Sequence, residues 1–337
     1  MRVVLISRPF FKEAHSLENF AKLLIQINNY ATTSVEIYKL SRRFSFYDIY
    51  KLRSMKADIY HITGDVHYIG PFLPSRKVIH TIHDIGHYLE MPNLLKKIIY
   101  RFIWFEWPIK FSRKILFDSS ITKKRVINTF LFKPQSSAVI LLSSPLSISE
   151  NRTTPKASKL LKVLQIGTKR NKNLTNLLKA VTKLDFVELI VVGKIGLYDQ
   201  SLITQYNISV KNFVNISEEE LKNLYLESDV LFFGSKHEGF GLPILEAQSA
   251  HLPVITSNFE PMTEVANKGA LYVDPYNIGD IRRKLNIIHT NLSLRKELID
   301  AGLENIKLLS QDAMLKKYFK VYNEVYEESS SNRRSIS

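Results

Sequence analysis

The chain has 337 residues, 45% of them apolar and 23% charged, which supports a sizeable core and suggests two domains rather than one. It has no cysteine, which excludes disulfides and thiolate chemistry, and no run of about 18 apolar residues, so no spanning helix is expected. The net charge of +15 is uneven. Residues 1–150 hold 22 Lys and Arg against 11 Asp and Glu, and residues 151–337 hold 25 against 21, so the first half favours anionic partners such as lipid headgroups, phosphorylated saccharides or nucleic acid.

The chain enters on RVVLIS (2–7), a buried-strand pattern with no charged leader or small-residue cleavage site, so a cytoplasmic protein is expected. Further strands are expected at 35–40, 58–63, 78–83, 114–117 and 138–142, with helical stretches at 16–28, 94–105 and 122–132. This alternation implies βαβ units and a parallel sheet. The first loop region reads SRPFFKEAHSLENF (7–20), and within it Ser16 is expected to open the helix as its N-cap.

Two stretches, YHITGDVHYIG (60–70) and VIHTIHDIGHYLEM (78–91), hold His61, His67, His80, His83 and His87. They show no metal-ligand spacing on any one element. The pair His83 and Asp84 follows a strand, as does the loop with Gly64, Asp65, His67 and Tyr68. Both loops read either as structural or as site-forming. Residues 96–125 then carry nine Lys or Arg against two acids, together with Trp104, Trp107 and several Tyr and Phe. Two readings fit this stretch: a surface helix with its apolar side buried, or peripheral docking on an anionic membrane. No nucleic-acid-binding module is recognisable, so no nucleic acid partner is expected.

A Ser/Thr/Pro-rich interval at 143–159 reads as a linker. Strands are expected to resume at 161–166, 188–192, 230–233, 253–256 and 271–273. The chain is helical by pattern from 278 to about 327, and the polar tail 329–337 is expected to be disordered. The expected division is therefore 1–150, 151–311, a helix at 312–328 crossing back to the first domain, and the tail.

Two second-half loops carry chemistry. In LQIGTKRNKNLTNLLKA (164–180) a strand ends at Gly167 and Thr168, and a helix begins near Asn173. Lys169, Arg170 and Lys172 sit at that turn, where a pyrophosphate would find cations and donors. The Gly193 turn after LIVV (189–192) is a further loop of this kind. In VLFFGSKHEGFGLPILE (230–246), a strand runs through a polar turn to Glu238, then Gly239, Phe240 and Gly241, and Leu242-Pro243 opens a helix. A glycine-lined helix N-terminus suits a diphosphate. Glu246, on what is expected to be the first helical turn, and Glu238 would address different parts of one ligand, and carboxylates accept well from sugar hydroxyls.

These residues resemble the signature of the family-4 glycosyltransferases, retaining enzymes of the GT-B fold. The likeness extends through EAQSAHLPVITSN (246–258), TEVA (263–266) and ALYVDP (270–275). His251 stands where the family usually has glycine, Thr168 where many relatives have arginine, and loop 7–20 lacks the usual glycine pair. The resemblance implies an α/β architecture of two Rossmann-like, doubly wound domains facing across a cleft. It implies a nucleoside-diphosphate sugar donor, a saccharide or lipid-linked acceptor, no metal or other cofactor, and a hexosyltransferase of bacterial surface polysaccharide biosynthesis. It assigns Glu238, Lys172 and His83 to catalysis, with Glu238 near the donor sugar. Gly167, Thr168, Arg170, Asn173, Gly193, Gly239, Phe240, Gly241, Leu242 and Glu246 fall to the donor, with Glu246 on the ribose. Ser16, Asp65, His67, Tyr68 and Asp84 fall to the acceptor side. Two alternatives stay open: a nucleotide-sugar epimerase on the same fold, and a non-catalytic saccharide- or membrane-binding protein.

Overall fold

A computed structural model describes residues 1–9, 16–30, 33–42, 44–130, 136–144, 146 and 158–334. The chain forms two compact units, Met1–Leu142 with Gln311–Ser337, and Ser143–Ser310. The divide falls at 142/143 rather than 150/151. Residues 145 and 147–157 of the expected linker, and 10–15 of the first loop, lie outside the described residues.

Unit 1 holds β1 (Arg2–Ser7), β2 (Ser34–Lys39), β3 (Ile59–Ile62), β4 (Val78–Ile82), β5 (Lys114–Phe117) and β6 (Ser137–Val139). They form one parallel sheet in the order β2-β1-β3-β4-β5-β6. Covered on both faces, the inner strands are buried along their length, and β3 and β4 bury His61, His80 and Thr81 among their apolar residues. Val4 and Ile6 belong to one core, and Val3 and Leu5 to another. The second core is closed by the C-terminal helix Gln311–Arg334, which contributes Met314, Leu315, Tyr318, Tyr322 and Val325.

That helix continues past residue 328, into a segment expected to be disordered. Ser329 and Ser330 donate hydroxyl hydrogen bonds to the Tyr326 carbonyl, and Ser331 to that of Glu328, so the serines extend the turns they would otherwise end. Residues 335–337 lie outside the described residues.

Unit 2 holds β7 (Leu161–Ile166), β8 (Val187–Val192), β9 (Val210–Phe213), β10 (Val230–Phe233), β11 (Val254–Ser257) and β12 (Leu271–Val273). They too form a parallel sheet, in the order β12-β11-β10-β7-β8-β9. Strand β9 escapes the sequence pattern because VKNF lies at the sheet edge, only partly buried, with no apolar run of its own. Both sheets reverse their winding once, between β1 and β3 in unit 1 and between β7 and β10 in unit 2. In doubly wound sheets ligands bind outside the carboxyl ends of the strands at such a point.

Candidate functional site

In unit 2 the loops after β7 and β10 leave from adjacent strands, paired at Val163↔Val230 and Leu164↔Leu231. Segments 66 residues apart in sequence therefore meet. Lys172 Nζ lies 2.7 Å from Glu238 Oε1, with both side chains largely shielded from solvent. The Lys172 ammonium also sits 4.8 Å from the centre of the Phe233 ring, the last residue of β10. Asn171 tightens the junction. Its Nδ2 donates to the His237 carbonyl at 3.2 Å, and its own carbonyl accepts from Lys236 N at 2.8 Å. The cation and the carboxylate, read from sequence as belonging to separate loops, form one ion pair.

Polar side chains hold these loops from within. Gln165, fully buried in β7, donates from Nε2 to the carbonyls of Gly167 and Lys172 at 3.0 and 3.1 Å. Asn173, expected to meet a ligand, is buried. Its Nδ2 donates to the carbonyls of Gly234 and Pro275, so it fixes the loop that carries Glu238. Gly167 has φ +85°, and a Cβ there would come within 3.0 Å of Lys172 Cγ, so glycine lets the lysine stem pass. Thr168 donates its hydroxyl to the Lys194 carbonyl and ties in the Gly193 turn. Arg170 is exposed at the same rim.

The helix after Glu238 spans Leu242–Ser249. Gly241 precedes it at φ +112° and supplies no side-chain cap; Pro243 has no N–H and Ile244 N donates to the Gly241 carbonyl at 3.0 Å, so the amides at Gly241 and Leu242 are the ones that can meet an anion. Gly239 lies in the loop before it. The Phe240 ring is buried, so its part toward a ligand is limited to its backbone, and Leu242 is half-buried.

Glu246 is the fifth residue of this helix, on its second turn rather than its first. It is buried and accepts a hydrogen bond at Oε2 from Tyr225 OH, 2.5 Å away. Burial pushes the Glu246 pKa up to about 7, against the opposing Tyr225 hydrogen bond. Tyr225 stands on the helix Glu218–Glu227, whose pattern gives no hint of such a role. His251 takes φ +54° just after the helix end, the left-handed conformation that glycine adopts without strain.

In unit 1 the candidates separate. His83 is held at both ring nitrogens: Nδ1 meets Asp118 Oδ2 at 2.8 Å and Nε2 meets the Thr63 carbonyl at 3.1 Å. Burial works against its charge, but the neighbouring Asp118 carboxylate outweighs burial and holds the His83 pKa above its usual value. Asp118, which no motif marked, thus fixes this residue. Asp65 accepts from Trp104 Nε1 at 2.6 Å, and Asp84, exposed, closes a turn by accepting from Gly86 N at 2.8 Å. One expectation is corrected. His67 and Tyr68 are not an open loop wall but lie buried in the core, where the Phe105 ring meets His67 and Trp104 meets Tyr68. Ser16 is the first described residue of the helix Ser16–Leu24, and its side chain, like residues 10–15 before it, lies outside the described residues.

Among the described residues no group of three or more His, Cys, Asp or Glu is placed to hold a metal ion, and no helix is long and apolar enough to cross a membrane.

Residues 148–305, just under half of the chain, match the family model "Glycosyl transferases group 1". The chain is 27% identical over 216 residues to "O-antigen chain mannosyltransferase RfbU" of Salmonella typhimurium, covering 62% of this chain and 59% of that protein. It is 26% identical over 264 residues to "O-antigen chain mannosyltransferase B" of Escherichia coli, covering 68% and 65%. The chain therefore spans about three fifths of the length of these curated relatives. Among solved structures it is similar to sucrose-phosphate synthase from Thermosynechococcus elongatus, with a TM-score of 0.72 at 16% identity over 97% of this chain and 99% of that one. It is equally similar to Anabaena Alr3699/HepE in complex with UDP and glucose, with a TM-score of 0.72 at 14% identity over 96% and 100%. These likenesses show the fold, an α/β GT-B architecture.

Proposed function

We propose, from the premise that residues 148–305 form a glycosyltransferase group 1 domain, that this chain transfers a hexose from a nucleoside-diphosphate sugar to a saccharide or lipid-linked saccharide acceptor. The observation that carries this reading is the Lys172–Glu238 pair at the winding reversal of unit 2, beside the uncapped helix N-terminus at Gly241. The diphosphate would lie against those amides, with Lys172, Arg170 and the backbone at Thr168 and Gly193 around it. Glu246, steadied by Tyr225, would accept the ribose hydroxyls.

In the reaction the bond between the sugar's anomeric carbon and the diphosphate oxygen breaks, and its electron pair goes to the diphosphate. Lys172 and the amides stabilise that charge. Glu238 positions the developing sugar cation without attacking it. The acceptor oxygen bonds to the anomeric carbon, and its proton passes to a departing phosphate oxygen. The family resemblance supplies retention of configuration. The relatives' names favour mannose as the sugar and surface polysaccharide as the product's destination. The reading includes no resident metal, so transfer should persist in EDTA.

Unit 1 would serve the acceptor, and residues 96–125 would bring the protein to an anionic inner membrane face. The helix Leu94–Arg101 supports this, because none of its residues is buried.

The test is a thermal-shift panel of UDP, GDP, ADP and their sugars. A bound nucleotide stabilises the fold by about 2.7 kcal/mol at a hundredfold excess over its dissociation constant. A response to one base, followed by acceptor-dependent transfer, supports the reading. Acceptor-independent conversion of the sugar would make the protein an epimerase, and unchanged transfer by Glu238→Ala would remove the assigned site.

A further inference from the structure

We propose that unit 1 meets an anionic lipid surface through two elements, the helix Leu94–Arg101 and a second, aromatic helix, Phe46–Ser54. The proposal rests on the membrane reading of residues 96–125 and adds a contact that no motif announced.

The first helix carries apolar side chains on two sides. Tyr100 packs against the core, as do Ile103 and Trp104 just beyond. Leu94, Leu95, Ile98, Ile99 and Phe102 form a separate stripe at i, i+1, i+4, i+5 and i+8, and each is at least half exposed. An apolar stripe on a surface helix ordinarily faces the core, and this one faces out.

The second helix is anchored by buried Leu52 and Asp48. It turns outward Phe46, Tyr47 and Tyr50, with Phe46 86% exposed. Phe44, just before it, joins the two elements. Its ring lies 4.3 Å from that of Tyr68 and 5.9 Å from that of Trp104, and Tyr100 stacks on Trp104 at 4.8 Å. Both exposed clusters thus hang on one aromatic spine.

Charge selects the occupant. The first helix has Lys96, Lys97 and Arg101 and no acid. Around the second, Arg42, Lys51, Arg53 and Lys56 are exposed. The one acid there, Asp48, is buried; its carboxylate accepts from the Tyr38 and Ser41 hydroxyls, and its backbone N–H donates to Ser45 Oγ. Aromatic and aliphatic side chains ringed by cations fit the interface of an anionic bilayer. A second copy would set like charges face to face, and the aliphatic stripe has no counterpart on nucleic acid.

The full chain is floated with vesicles of phosphatidylglycerol and phosphatidylcholine, with pure phosphatidylcholine as control. Wild type should float with the anionic vesicles only, less so at high salt. The exposed triple Phe46→Ser, Tyr47→Ser, Tyr50→Ser and the double Ile98→Ser, Ile99→Ser should each weaken partitioning by about tenfold or more. Both should keep the wild-type circular dichroism and nucleotide-induced thermal shift. If only the double variant loses binding, the second contact is wrong while the membrane reading stands. If wild type stays unbound, both fall. A concentration-dependent dimer in light scattering, abolished by the triple variant, would give this face to a second copy and overturn the proposal.

Discussion

The two units share a six-stranded, doubly wound parallel sheet, though with different strand orders, and use it for opposite chemistry. At the winding reversal of unit 2, charged groups converge from two loops and stay partly open, as in the Lys172–Glu238 pair. In unit 1 the comparable region is rich in histidine, yet His61, His67 and His80 lie inside, where burial pulls each pKa down to about 3. His61 spans Thr81 and Tyr322 through its two ring nitrogens at 2.8 and 2.7 Å, joining the sheet to the C-terminal helix. The lesson is that titratable residues make a site where converging loops leave them partly open and a core where packing closes over them, on a strand as for His61 and His80 or in a short 3-10 turn as for His67.

The sharpest way to break this contrast is Glu238→Ala, which should lower transfer by roughly 10³-fold, as losing a principal electrostatic contact does in other enzymes. Adding Lys172→Ala should then cost less than it does alone, because the two act as a pair. Transfer rates of the single and double variants check both statements.

Acid should next divide the units. The buried histidines have folded pKa values below the unfolded 6.5. Between about 3 and 6.5 the unfolded chain binds more protons at these three residues, so their contribution to the stability of unit 1 is lost as pH falls. Glu246 has the reverse sign. Its folded pKa of about 7 exceeds the unfolded 4.5, so its contribution is present below 4.5 and lost as pH rises through 7. Both tryptophans, Trp104 and Trp107, are in unit 1, so fluorescence-detected denaturation should report unit 1 without Glu246; within it His83, held above its usual value, acts with the opposite sign to the three buried histidines.

Tyr225→Phe should reduce nucleotide affinity by about five- to tenfold, the worth of one typical hydrogen bond of about 1 kcal/mol. Affinity in wild type should rise as pH rises through about 7, since ionised Glu246 is the better acceptor. The variant's midpoint should shift upward, because the Tyr225 bond favours the carboxylate. Calorimetric titration across pH measures both effects. The smallest change should come from His251→Gly, which relieves a left-handed backbone and should stabilise unit 2 by about 0.5–1 kcal/mol in a denaturant melt.

Much of this was legible before any coordinates. Strands β1, β5, β7, β10 and β12 begin and end where the apolar runs do, because parallel strands covered on both faces leave an unbroken signature. Strand β9 was not legible, since an edge strand that buries little need not be apolar. The Gly-Phe-Gly turn and the basic turn after β7 announced themselves by residue type. Gln165, Tyr225 and Asp118 did not, because a buried polar side chain looks like any other polar residue until its partner is placed.

The sequence by itself determined the strand-helix alternation and the residue types a donor site would use, since burial period, turn chemistry and charge are local properties. Tertiary structure decided which of them meet. Lys172 reaches Glu238 only because β7 and β10 are neighbours across a winding reversal, and strand order depends on long-range packing that no local pattern encodes. Packing likewise turned His61, His67 and His80 inward and left the Leu94–Arg101 stripe facing out, because only the completed core determines which apolar faces remain uncovered.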